Sequence, residues 1–103
     1  MAKTQAPDRD AFRAWLAEAE PDQLVGYAVW AAECPLACFL RSRGARAPQV
    51  GTTGYYRDRF HPNARYHPLP DWARRFIQRT DDAGEQFLPV LAGEALATLD
   101  GMP

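Results

Sequence analysis

The chain has a single lysine, Lys3, and no basic residue after Arg79. Two cysteines and two histidines are all it has of the common soft and borderline metal ligands. Each scarcity closes a class of function. Two cysteines cannot build the disulfide framework of a small secreted domain. Both are therefore expected to remain thiols in a reducing compartment, with the cytoplasm as the expected location. No stretch approaches the roughly 18 uninterrupted apolar residues of a membrane span, and the opening MAKTQAPDRDAF lacks the apolar run of a secretory signal. GTTG at 51–54 has two glycines without the length or the lysine of a phosphate loop, so neither a nucleotide nor any other specific small molecule or cofactor is indicated. Repeats, low-complexity tracts and interdomain linkers are missing too.

What remains is an ordinary globular composition, 47% hydrophobic and 24% charged, with three Trp, four Tyr and five Phe to build a core around. At 103 residues this predicts a single globular domain over 1–103, with a flexible N-terminal tail at about 1–7. Asp8 is a capping residue for a helix over 9–20, in which Phe12, Trp15, Leu16 and Ala19 share one face. Pro21 ends it. The stretch DQLVGYAVWAAE reads as a turn or short strand. Pro35, at a first helical position, starts a second helix over 35–43, which Gly44 stops. QVGTTGYYRDRF and RYHPL, either side of the turn HPNA, read as two short extended pieces. DWARRFIQRTD makes a third helix over 71–81, with Trp72, Phe76 and Ile77 on one side. QFLPV reads as extended and AGEALATLD as a short final helix. The expected architecture is α+β: three main helices, with a short irregular β-hairpin between the second and third. Trp15, Leu16, Leu36, Phe39, Leu40, Trp72, Phe76, Leu96 and Leu99 are its expected core.

The formal net charge of −1 hides a strong asymmetry. Residues 1–40 carry −3 and residues 80–103 carry −5, while residues 41–79 set nine arginines against Asp58 and Asp71, a net of +7. The belt comprises Arg41, Arg43, Arg46, Arg57, Arg59, Arg65, Arg74, Arg75 and Arg79, interleaved with Tyr55, Tyr56, Phe60, Tyr66 and Trp72. Guanidinium groups bind phosphates and carboxylates as rigid forks, and aromatic rings beside them stack on bases or anchor protein interfaces. Set against this, the acidic ends of the same chain could neutralise the belt.

Cysteine and histidine offer a second constellation. Cys34 and Cys38, with His61 and His67, form C-x3-C-x22-H-x5-H, four ligands of the kind that hold tetrahedral zinc. The x22 interval is longer than in a zinc finger, however, and the cysteine pair opens a helix. C-x-x-x-C is not the spacing of thiol oxidoreductases, although a helix N-terminus lowers a thiol pKa. No local motif marks a Cys–His nucleophile and base, so no catalytic residue is assigned and the chain is read as non-enzymatic.

The leading expectation is a non-catalytic interaction or regulatory module. It touches another protein, or a second copy of itself, through Tyr55, Tyr56, Arg57, Arg59, Arg74 and Arg75. The alternatives are an accessory nucleic-acid binder using Arg41, Arg43, Arg46, Arg57, Arg59, Arg65, Arg74 and Arg75, and a small zinc domain using the two cysteines and two histidines.

Overall fold

The computed structural model describes residues 7–83 and 88–103, leaving aside the side chain of Ala83. Among the described residues, four helices and five short strands follow one another in the order α1 Arg9–Glu18, β1 Leu24–Tyr27, α2 Pro35–Ser42, β2 Gln49–Val50, β3 Gly54–Tyr56, β4 His67–Pro68, α3 Asp71–Ala83, β5 Pro89–Leu91 and α4 Ala92–Asp100. The tail expected at about 1–7 lies outside the described residues except for Pro7, which is buried.

Two features correct the expected architecture. There are four helices, not three main ones, because α4 is packed as fully as the others, with Ala92, Ala95 and Leu99 buried. The β structure is also not one hairpin. β1 and β5 form an antiparallel ribbon of their own, with Leu24 opposite Leu91 and Tyr27 opposite Pro89. β2, β3 and β4 form a separate antiparallel sheet with β3 in the centre. The weakly patterned segments around Val25 and Val90 thus find their order in each other.

The helix limits follow from their caps. The Asp8 carboxylate accepts the Ala11 N–H at 3.0 Å and starts α1. At the other end Ala19 is already extended, so α1 stops at Glu18, two residues before expectation. Pro21 disfavours helical geometry just before itself. In α2, Pro35 fills the first position, and the chain leaves through a Schellman turn. The Ala45 N–H reaches the Leu40 carbonyl at 3.0 Å and the Gly44 N–H reaches that of Arg41 at 3.1 Å. Gly44 has φ +99° there, a conformation its missing Cβ permits. In α4, Glu94 Oε1 accepts the Leu91 N–H at 3.0 Å, and Arg9 donates to the carbonyl oxygens of Leu99 at 2.8 Å and of Met102 and Pro103 at 3.2 Å. The Leu99 carbonyl lies in the last turn of α4, where the helix dipole favours a cation, and the other two follow the helix end.

The core centres on Phe12 of α1. Its ring meets Phe39 of α2 edge-on at 5.3 Å, and Trp72 and Phe76 of α3 at 5.6 and 5.1 Å. Leu16, Leu36, Phe39, Leu40, Phe76 and Leu99 are buried as expected, while Trp15, Trp72 and Leu96 are partly buried against the same cluster. Val25, Val50, Tyr55, Val90 and Met102 join it from the strands and the end of α4.

Candidate functional site

Strand geometry separates the two adjacent tyrosines. Successive side chains on a strand point to opposite faces, so Tyr55 and Tyr56 cannot share a surface. Tyr55, paired with Val50 on one side and His67 on the other, is 1% exposed. This corrects the expectation that Tyr55 is a partner contact: it belongs to the core, and burial raises its pKa. Tyr56 lies on the opposite face, where its ring meets that of Tyr66 at 5.3 Å.

Tyr66 rests over Gly54. A Cβ on Gly54 would come within 2.5 Å of two atoms of the Tyr66 ring, so the glycine makes the seat on which that ring lies. The hydroxyls of Thr53 and Tyr66, 2.6 Å apart, fix the other end. Tyr66 still remains 52% exposed. Between β3 and β4 the loop 57–66 is built from tight turns. The His61 N–H donates to the Asp58 carbonyl at 3.1 Å and the Ala64 N–H to the His61 carbonyl at 3.0 Å. The Phe60 N–H donates to Asp58 Oδ1 at 3.2 Å and the Asn63 N–H to His61 Nδ1 at 3.0 Å. At the loop base, the Arg59 N–H meets the Ala47 carbonyl at 3.0 Å. The turns push Phe60 outward, where it is 74% exposed. The Arg59 guanidinium sits 4.5 Å from its ring centroid and donates to the Pro48 carbonyl at 3.2 Å, a cation–π contact that holds both groups.

The arginine belt divides into two kinds. Arg41 pairs with Glu33 at 3.4 Å, and Arg74 and Arg75 both reach Asp71, at 2.7 and 2.8 Å. Arg43 lies over the Phe39 ring at 5.2 Å, and Arg79 donates to the Gly101 carbonyl at 3.4 Å. Arg46, Arg57, Arg59 and Arg65 have no ion pair among the described residues. With Asp58 the sole acid among them, they leave the lobe around β2, β3 and loop 57–66 with a net charge of +3. Two open hollows flank this lobe. Arg57, Asp58, His61, Asn63, Arg65 and His67 line one, and Arg46, Asp58, Phe60 and His61 line the other.

The expected contacts therefore disperse. Tyr56, Arg57 and Arg59 stand on this lobe, Tyr55 is buried, and Arg74 and Arg75 belong to α3, occupied with Asp71. Phe60, Tyr66 and Arg65 stand on the same lobe as Tyr56, Arg57 and Arg59. Their signal lies in HPNARYHP, whose turn-forming residues force the neighbouring aromatics outward.

The zinc reading is corrected. Both histidines line the polar hollow, Cys34 lines a small apolar hollow with Val29, Trp30, Val50, Ile77 and Asp81, and Cys38 lines a third beside Trp15 and Tyr27. Cys34 and Cys38 line different hollows, and both are free thiols. Among the described residues, no three His, Cys, Asp or Glu gather closely enough to hold a metal ion. Burial pushes the Cys34 thiol up to about 12, overriding the N–H groups of Ala37 and Leu36 that act the other way. Burial likewise raises Cys38, helped by the charge of Glu33.

The molecule is thus a small α+β domain bearing exposed basic and aromatic residues, consistent with a non-catalytic interaction surface, and among the described residues no helix is long and apolar enough to cross a membrane. No family model matches the chain, and no curated protein and no solved structure matches it either.

Proposed function

We propose that the chain is a non-catalytic interaction module that binds an acidic protein surface through loop 57–66 and the neighbouring face of β3. The observation that carries the reading is Phe60: a large apolar ring, most of it in water, backed by Arg59 and set among arginines without ion pairs. Aromatic and arginine side chains held rigid before binding make effective anchors, because little side-chain freedom is lost on association. In this reading, Phe60 and Tyr66 supply apolar area while Arg46, Arg57, Arg59 and Arg65 orient the acidic partner. The protonated, buried thiol of Cys34 agrees with a binding role in place of nucleophilic catalysis. The setting this reading assigns is the cytoplasm, where Cys34 and Cys38 stay reduced.

Quantitative affinity purification with the wild-type chain and with Phe60→Ala, followed by calorimetry on the purified pair, tests it. Phe60→Ala is expected to weaken binding by about 30-fold, the effect of losing an anchor of ~2 kcal/mol. Arg74→Ala, on a residue already paired with Asp71, is expected to change it little. A partner that binds both variants as well as the wild type refutes this face as the site. Salt-dependent binding of single-stranded or duplex oligonucleotides, tighter than that of any acidic protein, would replace the reading with nucleic-acid recognition.

A further inference from the structure

Arg57 and Arg65 stand at opposite ends of the loop between β3 and β4, and the turns within it bring both side chains to one open hollow of about 650 Å³, completed by His61, Asn63 and His67. We propose that this hollow is an oxyanion site fitted to a phosphate monoester, carried as a phosphorylated side chain by the partner. The inference rests on the reading above that the loop is an interaction face, and it names the group that face grips.

Three observations carry it. The first is charge. Arg41, Arg74 and Arg75 each have a carboxylate within 3.4 Å, whereas the guanidinium groups of Arg57 and Arg65 have none among the described residues. Asp58 is the one carboxylate lining the hollow, and its Oδ1 already accepts the Phe60 N–H. The second is the tautomer of a donor. His61 Nδ1 accepts the Asn63 N–H at 3.0 Å, so the proton of the neutral ring resides on Nε2 and leaves that N–H free to donate. The third is the match of donors to acceptors. A carboxylate is satisfied by one arginine fork, whereas a phosphate monoester has three terminal oxygens and a charge approaching −2. Two guanidinium groups, an imidazole N–H and the Asn63 amide around one hollow suit the latter. A nucleic-acid phosphodiester, with one charge and two free oxygens, uses this set less fully.

The test is an NMR titration of the labelled full chain with inorganic phosphate, ionic strength being held constant with chloride. A phosphoserine peptide, its glutamate counterpart and a single-stranded oligonucleotide are titrated in parallel. Saturable shifts confined to residues 57–67 are expected with phosphate and, more tightly, with the phosphopeptide. Arg57→Lys and Arg65→Lys keep the charge and lose the fork, and each is expected to weaken binding by about tenfold. Arg74→Lys is expected to leave it unchanged. Shifts no larger than those from chloride overturn the site. Equal binding of the glutamate peptide overturns its preference for phosphate, and tighter binding of the oligonucleotide assigns the hollow to nucleic acid. Phe60→Ala separates the two readings: the site stands without the face if phosphate saturates the hollow while the partner binds Phe60→Ala as well as the wild type. The interaction face stands without the site if the partner binds through Phe60 and phosphate does not bind.

Discussion

Cys34 occupies the N-cap of α2, where backbone N–H groups favour a thiolate, yet its surroundings are apolar and the thiol is raised to about 12. At pH 8 it is expected to resist alkylation in the folded chain, with Cys38 reacting slowly. In denaturant both should react at the rate of a free thiol, as mass spectrometry of iodoacetamide-treated protein will show. Asp81 has an unusual partner. It accepts the N–H of Val29 at 3.1 Å, and Val29 is the one non-glycine described residue with positive φ, at 62°, a costly conformation for a β-branched side chain. Burial raises the pKa of Asp81, while the N–H of Val29 partly offsets it. A carboxylate raised on folding is penalised as it ionises. Its contribution to stability therefore falls as pH rises from its unfolded value, about 3.9, through its folded one. Asp100 behaves oppositely. The hydrogen bond from Arg13 lowers its pKa, so its contribution is present above the unfolded value and lost as pH falls through the folded one. Urea unfolding between pH 3 and 7 is expected to show Asp81→Asn flattening the decline and Asp100→Asn flattening the rise.

Phe12 and Arg9, three residues apart on α1, perform different tasks. Phe12→Ala removes a ring that packs on Phe39, Trp72 and Phe76 and is expected to lower stability by about 3–5 kcal/mol, read from the urea midpoint. Arg9→Ala uncaps the carbonyls at the end of α4, with an expected loss of about 1–2 kcal/mol. Helices such as these were legible in the sequence because their signals are local. Asp8, Pro35 and Gly44 each act within one turn, and the apolar spacing from Phe12 to Ala19 spans a single element. The ribbon β1–β5 was not legible, since Leu24 finds Leu91 only after two helices and a sheet have been placed between them. The site lay between these cases. An arginine-rich, aromatic lobe was visible, but β2 and β4 are two residues long, too short for alternation to show which tyrosine turns inward. The pairing of β3 with strands on both sides decides it for Tyr55. Gly54→Ala should report on that geometry, because the added methyl displaces the Tyr66 ring. The methyl also comes within 2.6 Å of the His67 carbonyl oxygen, so the pairing of β3 with β4 must shift, and both the urea midpoint and the affinity for the partner are expected to fall.

The acidic ends of the chain do not neutralise the basic middle as a simple charge count implies. Arg13 and Asp100, both from the outer segments, pair with each other at 2.8 Å, and among the described residues just two acids, Glu33 and Asp71, reach arginines of the belt. The molecule is therefore polar although almost uncharged in total, and its positive lobe should persist at neutral pH. The ribbon joining β1 to β5, with α1 clasping the end of α4 through Arg9 and Arg13, has a temporal meaning as well. A ribosome delivers residues 9–27 long before residues 89–102. Until those later residues emerge, the edge of β1 has no partner, and the helix-capping groups of α1 have nothing to cap. The nascent chain thus carries an open strand edge through most of its synthesis, even once Phe39, Trp72 and Phe76 are available to Phe12, and chaperones that shield unpaired strands are its natural attendants.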